Sequence, residues 1–595
     1  MNDLQPVAFG DEPADLAITN GTVVLPGLRK TRERDVVVRG DRVAALPESA
    51  GPVVGPDTTV VDAAGAHVVP GFVDAHTHVD VGATVERTYH YSLLGGTTAI
   101  VTEASSFGAA LGARAVEELL AVDETLPVAV RPTVPPQPLY DTFEPARADD
   151  DEAGKLAELL AHDRVVGVGE VGWAHVVGTD TPAERLFERA RAEDKRVTGH
   201  GAGASGEKLA AFATVVDDDH EAIRPEGVVE RVAQGLHAIG RSGSVRDDMA
   251  AFVDAVEQLG PAECSLCTDG VWPRDLIEGE HMDAVVRRAI EEGVDPVDAV
   301  RMATLNPARH FGLADRGSLS PGSVADLVVL SDLESVAVRD IVAGGDLVVS
   351  DGDPLVGPRE HDYPDAFYDS VAADPTPEDF QIPANATSDG RVRAIANGEG
   401  LLTDETTVEP PVEDGTLAAS PDEDLLLAGL LDRHPDGPGA GDSPAERSGF
   451  TGFLTGYGLD SGAVATTVTW EVSGLLAVGV SPGAMATAAR RVVELGGGWA
   501  IVDDGEVVVD VPLSLAGVAA DAPLPEVADA YAGLERALRE QGSDADRPLL
   551  ALQTLSFPGV PRLKLSFSGY ADVVRRRTVG LAPGREAGAP GDRGQ

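Results

Sequence analysis

Between residues 68 and 311 the chain alternates short apolar runs with alanine- and glutamate-rich stretches of helical length. The run at 99–102 precedes a helical stretch at 114–122. The run at 165–168 precedes 182–193, another lies at 196–198, and 265–268 precedes 282–292. A strand, a helix and a return to the same sheet edge add one parallel strand per repeat. Repeats sustained over ~240 residues predict a (β/α)8 barrel, an architecture that carries its site at the C-terminal ends of the strands.

Both flanks differ from this texture. The alternating run from Asp15 closes on Asn20-Gly21, which predicts a hairpin, and 35–43 predicts a second strand pair. Short strands at 325–330 and 346–350 return to the same pattern after the barrel. The expected division is a composite small β domain (1–69 and 312–360), the barrel (70–311), and a linker together with the start of the C-terminal region (361–450). A C-terminal α/β domain (451–580) and a flexible tail (581–595) complete it. The linker is rich in Pro, Asp and Gly, and 435–445 predicts an exposed loop. Within the C-terminal domain a helix is expected over 484–494, ended by Gly496-Gly-Gly498. A hairpin of 499–502 and 506–511 around Asp503-Asp-Gly505 follows.

Lys and Arg number 46 against 99 Asp and Glu, a formal net charge of −53. A surface this acidic excludes nonspecific nucleic-acid binding and attraction to anionic membranes. Only five of the basic residues are lysine. An acidic, lysine-poor surface is what a high-salt cytoplasm favours, so a halophilic protein is expected, with an unusually acidic mesophilic one as the alternative. Cys264 and Cys267 cannot make a disulfide framework, and with no partner pair they read as buried strand cysteines. The longest apolar stretch, 472–489, is rich in Gly and Ala and broken by Pro482, which disqualifies it as a membrane span. No basic-then-apolar leader opens the sequence, and a cytoplasmic location is expected.

The chemistry-bearing motif is Pro70-Gly-Phe-Val-Asp-Ala-His-Thr-His78. Residues i and i+2 of a strand share a face, so His76 and His78 aim two imidazoles at one site. Neutral imidazole suits divalent transition metals. Glu170, His200 and Asp269 each end an apolar run, and His220 follows three aspartates. Alone, each reads equally well as a cap or a surface group; together they form a metal-ligand set along one barrel rim. The remaining histidines (His67, His90, His162, His175, His237, His281, His310, His361 and His434) read as structural or solvated. Gly95-Gly-Thr-Thr98 lacks the Gly-Lys-Ser/Thr of a phosphate loop.

In this order, His76-x-His78, Glu170, His200, His220 and Asp269 resemble the amidohydrolase superfamily. The flanking text narrows the resemblance to the adenine deaminase family: Gly199-His-Gly-Ala-Gly-Ala-Ser-Gly206, Asp219-His-Glu221, Arg241-Ser-Gly-Ser244, Leu266-Cys-Thr-Asp269, Met302-Ala-Thr-Leu-Asn-Pro-Ala308 and Glu494-Leu-Gly-Gly-Gly498. It spans about residues 14 to 575. It implies two divalent metal ions, manganese expected, with iron or zinc as alternatives. His76, His78 and Asp269 would hold one ion, His200 and His220 the other, and Glu170 would bridge. It further implies hydrolysis of adenine to hypoxanthine and ammonia. Asp269 would be the proton carrier, Glu170 and Glu221 would assist catalysis, and Arg241 and Ser242 would contact a small purine substrate. A homo-oligomer is compatible with the resemblance.

Four segments depart from that family's pattern: Val79-Asp-Val-Gly82, Glu103-Ala-Ser-Ser106, Gly270-Val-Trp272 and Trp470-Glu-Val-Ser473. They leave the six ligands intact but remove much of the auxiliary polar shell, and Trp470 brings a bulky ring. A drier pocket, at most two metals and slow turnover of adenine are expected. Two rival readings remain: an amidohydrolase acting on another cyclic amidine or amide, and a non-catalytic paralogue.

Overall fold

The structure, a computed structural model, describes residues 3–398, 401–434 and 449–583. The loop expected at 435–445 and the tail beyond 583 lie outside the described residues.

Eight parallel strands form the core: β1 (Phe72–Thr77), β2 (Thr97–Thr102), β3 (Ala129–Val134), β4 (Gly167–Gly172), β5 (Arg196–His200), β6 (Asp218–Asp219), β7 (His237–Arg241) and β8 (Cys264–Cys267). Strands β1 to β5 make one curled parallel array and β6 to β8 a second. Backbone bonds bridge both seams. The Asp217 N–H donates to the Val197 carbonyl at 2.8 Å, and the Asp269 N–H donates to the His76 carbonyl at 3.0 Å. Because every strand runs the same way, all eight C-terminal ends meet on one rim.

The helices between strands bury one face each; the helix Ala113–Asp123 turns Val116, Leu119 and Leu120 inward. Strand β3 carries a proline at 132, opposite Thr102 of β2. A proline in an interior strand argues against a strand assignment. The run Val128-Ala-Val-Arg-Pro-Thr-Val134, not among the strands read from the sequence, nevertheless forms one over Ala129–Val134. Both cysteines are unpaired and buried in β8.

The flanks of the barrel do share one sheet. Strands Thr22–Leu25 and His67–Pro70 from the N-terminal side join Leu327–Leu330, Val338–Ala343 and Asp346–Ser350 in a seven-stranded sheet. The expected hairpin at Asn20-Gly21 does not form. Leu16–Thr19 belongs to a separate four-stranded sheet, paired with Val36–Arg39 and Thr59–Asp62, whereas Thr22–Leu25 pairs with Lys30–Glu33 and His67–Pro70. Asn20, at φ 59°, turns the chain from one sheet to the other, with its side-chain amide donating to Asp62 at 2.9 Å. Asn is tolerated in that left-handed conformation, which serves a sheet crossing as well as a hairpin.

The C-terminal domain is an eight-stranded sheet with the helix Pro482–Glu494 against it. The Ser481 hydroxyl caps that helix by accepting the Ala484 N–H, and Met485, Ala486, Ala489 and Val492 face the sheet. The sheet starts well before residue 451. Val392–Asn397, Thr403–Val408 and Leu425–Asp432 lie in the segment expected to hold the linker and the start of the C-terminal region, and Leu425–Asp432 pairs on both edges. Seven of its eight residues are buried, so Leu-Leu-Leu-Ala-Gly-Leu-Leu shows no alternation and carries no amphipathic signature. The domain reaches the barrel through a short parallel pairing of Ala519–Ala520 with Gly82–Ala83, just after the His-x-His strand. Among the described residues no helix is long and apolar enough to cross a membrane; the stretch 472–489 divides between the strand Gly474–Gly479 and the capped helix.

Candidate metal centre and substrate cavity

His76 and His78 lie on β1 and at its end, Glu170 on β4, His200 on β5, His220 just after β6, Arg241 at the end of β7 and Asp269 just after β8. Every one of these side chains is largely buried. Glu170 Oε2 is 3.0 Å from His200 Nδ1, 3.4 Å from His220 Nε2 and 3.7 Å from His76 Nε2, while its Oε1 is 3.8 Å from His78 Nε2. Asp269 Oδ1 is 3.4 Å from His76 Nε2 and 3.9 Å from both His78 Nε2 and His220 Nε2. The residues expected as ligands thus converge, with the Glu170 carboxylate between the two histidine pairs.

These residues fit divalent cations. Nε2 of His76 and Nε2 of His78 are buried without a hydrogen-bond partner. Their carboxylate neighbours stand too far for good hydrogen bonds. Groups bound to a common cation at about 2.0–2.2 Å lie roughly 3–4 Å apart, which is the spacing seen here. Three overlapping sets meet this requirement: His76, Glu170 and His220; His76, His78 and Asp269; and His200, His220 and Glu221.

The local electrostatics favour ionised carboxylates. Burial would raise the Asp269 pKa, but the Arg241 charge, with the nearby His220 and His76 imidazoles acting the same way, overrides it and holds the carboxyl well below its usual range. Glu170 is likewise pulled down against burial, by His200, His220 and His76. Burial would lower the His200 pKa; the Glu170 and Glu221 charges raise it to about 10. At His220 burial wins, with the His76 charge adding to it, and the pKa falls to about 3.

Glu221 is no surface glutamate. Its Oε1 lies 3.5 Å from His220 Nε2 and 3.7 Å from His200 Nδ1, and it accepts from Arg241. Arg241 is fully buried and occupied: Nη1 donates to Asp269 at 2.8 Å and to Glu221, and Nε donates to Asp248 at 3.0 Å. Its Nη2 alone has no partner. Expected as a substrate contact, Arg241 therefore first positions two site carboxylates. Ser242 does not line the cavity; its N–H donates to the Cys267 carbonyl at 3.2 Å.

The departing segments rebuild a polar shell. Glu103, from the altered segment after β2, is completely buried and 3.3 Å from His76 Nδ1, while Thr198 and Thr133 donate to its carboxylate. A carboxylate on the far nitrogen of a ligating histidine fixes its tautomer and direction. The Ser105 hydroxyl sits 3.3 Å from His78 Nδ1. The Asp80 carboxylate accepts the Phe107 N–H at 2.8 Å and so anchors the two altered segments to each other. The expectation of a depleted shell is thus corrected. A carboxylate has no distinctive spacing, and only its place at a strand end beside the ligands could have flagged Glu103.

The centre opens into a cavity of about 640 Å3. Its far wall comes from the C-terminal domain, which contributes Trp470, Thr554, Phe557 and Pro561. The Phe557 ring is 5.3 Å from that of His200 and 5.6 Å from that of Trp470, which lies 5.9 Å from His78. Trp470 holds φ 56°, an unusual conformation for a bulky residue, and its buried indole N–H has no partner. The cavity therefore combines a floor of candidate cation ligands with an aromatic wall.

Residues 67–348 match the Amidohydrolase family and residues 400–577 match the Adenine deaminase C-terminal domain. A relative from Rubrobacter xylanophilus named adenine deaminase is 35% identical, over 98% of this chain and 97% of its own length. Relatives of the same name from Moorella thermoacetica and Desulfatibacillum aliphaticivorans are 33% and 31% identical. They cover 98% and 95% of this chain, and 98% and 97% of their own lengths.

Proposed function

Because the chain belongs to the adenine deaminase family of amidohydrolases, we propose that it hydrolyses adenine to hypoxanthine and ammonia, using two divalent cations, with manganese the preferred ion. One observation carries this reading: the carboxylate–imidazole cluster and the Trp470–Phe557 wall face the same cavity, which suits a flat heterocycle presented edge-on to the cations. His76, His78 and Asp269 would hold one ion and His200 and His220 the other, with Glu170 between them. When bound, the cations supply a water acidified to near neutrality.

The remaining work falls to the chain. The purine would stack on the wall formed by Phe557 and Trp470. Asp269, ionised and pinned by Arg241, accepts a proton from the attacking water. As the new C6–O bond forms, that proton passes to the exocyclic nitrogen, and the C6–N bond breaks with loss of ammonia. The second water proton, left on the new C6 hydroxyl, moves to the adjacent ring nitrogen to give hypoxanthine, and the Glu221 carboxylate, beside His200 and His220, would accept a hydrogen bond from that N–H. Water, the proton and ammonia balance without any further reactant.

The test is ammonia release from a panel of purines and pyrimidines by protein purified in high salt with added Mn2+. Ammonia from adenine supports the reading, with slower release from related aminopurines. Turnover of a cyclic amide with none of adenine would favour the rival amidohydrolase. Tight purine binding without turnover of any panel member would favour a binding protein.

A further inference from the structure

The motif that carries His76 and His78 contains a buried carboxylate, Asp74, that has no place in the ligand set. Asp74 is 5% exposed and lies on β1, at the seam where β1 meets the end of β8. A buried carboxylate is unfavourable unless it is well hydrogen-bonded. Neutral donors do this for Asp74. The Thr268 N–H donates to its Oδ1 at 3.0 Å, the Thr268 hydroxyl donates to its Oδ2 at 2.6 Å, and the His76 N–H reaches Oδ1 at 3.4 Å. One carboxylate therefore grips the residue before Asp269 twice and the backbone of His76 once.

The Thr268 hydroxyl has one proton, which the shorter contact assigns to Asp74. Its oxygen then accepts from the Thr77 hydroxyl at 2.9 Å and from the Gly270 N–H at 3.3 Å. The Asp269 N–H closes the seam on the His76 carbonyl at 3.0 Å. Beyond that bond the chain turns sharply, with Asp269 at φ 55° and Gly270 at φ 99°. A non-glycine residue keeps the left-handed conformation where its surroundings fix it. Here it is fixed from two sides. Asp74 holds the backbone through Thr268, and Arg241 holds the Asp269 carboxylate at 2.8 Å.

We infer that Asp74 is a positioning residue for the ion assigned to His76, His78 and Asp269: by bonding Thr268 and His76 together it sets the spacing of the two strand ends and the turn that aims Asp269 at the centre. It acts through Thr268 and the His76 backbone, without coordinating the ion. A carboxylate that served the fold alone would, on removal, weaken both halves of the centre alike. A positioning carboxylate gives an unequal loss, because His200 and His220 stand on the far side of the barrel seam, at the ends of β5 and β6. The inference rests on the metal-centre reading and is independent of which substrate is turned over.

The test is calorimetric titration of the full-length, metal-stripped protein with Mn2+ in high salt, with melting temperature measured alongside. Two binding steps are expected in the wild-type protein. Asp74→Ala should weaken one step roughly 10–100-fold and leave the other unchanged. Asp74→Asn should restore most of that affinity: its oxygen still accepts the Thr268 N–H, and its amide donates to the Thr268 oxygen once that hydroxyl turns toward Thr77. Thr268→Val, which serves if Asp74→Ala does not fold, should weaken the same step and add much less in the Asp74→Ala background. At saturating Mn2+ the residual loss in turnover should fall on kcat, with KM little moved. Equal weakening of both steps, or two unchanged steps in Asp74→Ala and Thr268→Val, overturns the inference. A wild-type protein that binds no Mn2+ defeats the metal-centre reading and the inference with it. The expected unequal loss in a protein that releases no ammonia from adenine would keep the inference and remove the deamination reading.

Discussion

Replacing Arg241 by Met separates two roles that the sequence alone cannot tell apart. The guanidinium is fully buried and charge-bonded to Asp269, Glu221 and Asp248. Removing one partner of a buried ion pair costs about 3–5 kcal/mol, because the remaining charge is left uncompensated. Cations in the centre would still offset part of the charge on Asp269 and Glu221, so the lower end applies. That cost reads out as a lower melting temperature, whereas a proton carrier no longer held in place costs roughly 100-fold or more in rate. A displaced Asp269 impairs proton transfer more than purine binding, so the loss should fall on kcat, with KM changing less than about threefold. Arg241→Lys should recover only part of it, since one ammonium cannot reproduce a fork that serves three carboxylates. Steady-state kinetics of both variants at matched metal content provide the assay. A KM raised tenfold or more at unchanged kcat would refute the positioning argument and make Arg241, through its free Nη2, a substrate-binding residue.

Glu170→Gln removes the charge between the two histidine pairs; activity should fall by orders of magnitude and metal content should drop, as elemental analysis of dialysed protein can check. A variant with normal turnover and full metal would exclude Glu170 from the centre. Glu103→Gln deprives His76 of its orienting carboxylate and should weaken metal affinity or activity roughly 10–100-fold; an unchanged affinity in chelator competition would reduce Glu103 to a packing role. With a net charge of −53, stability should depend on ionic strength. The Debye length falls from ~10 Å at 0.1 M to ~3 Å at 1 M salt, so melting temperature should rise steeply over that range of KCl. A flat profile would remove the salt-adapted reading. Elemental analysis should also find at most two metals retained per chain; three, each needed for activity, would refute the ligand count.

What the sequence made legible followed from periodicity and from ligand chemistry. Strand–helix repeats announced the parallel array, and the six candidate ligands stood out because His76 and His78 share a strand face and Glu170, His200 and Asp269 each end an apolar run. Glu103 and Ser105 stayed hidden because nothing in their local spacing distinguishes them from ordinary polar residues. Their roles arise only when β2 brings them beside His76 and His78. Leu425–Asp432 was missed for the opposite reason: a strand buried on both faces has no period to detect. The Asn20-Gly21 error shows that a turn signal fixes a backbone conformation and leaves open which strands it joins.

The seven-stranded sheet also sets an order of events in synthesis. His67–Pro70 pairs with Leu327–Leu330, and Arg29 bonds to Asp298 across 269 residues of intervening chain. A ribosome adding about 5–20 residues per second needs tens of seconds to supply those partners. Throughout that interval Val68 and Val69, buried in the finished sheet, stand at an unprotected strand edge. The nascent N-terminal segment must therefore be shielded, by its own smaller sheet through Leu16–Thr19 or by a chaperone, until the barrel is complete. The architecture that clamps both ends of the barrel together also makes its first seventy residues wait for strands near residue 350 before their sheet is complete.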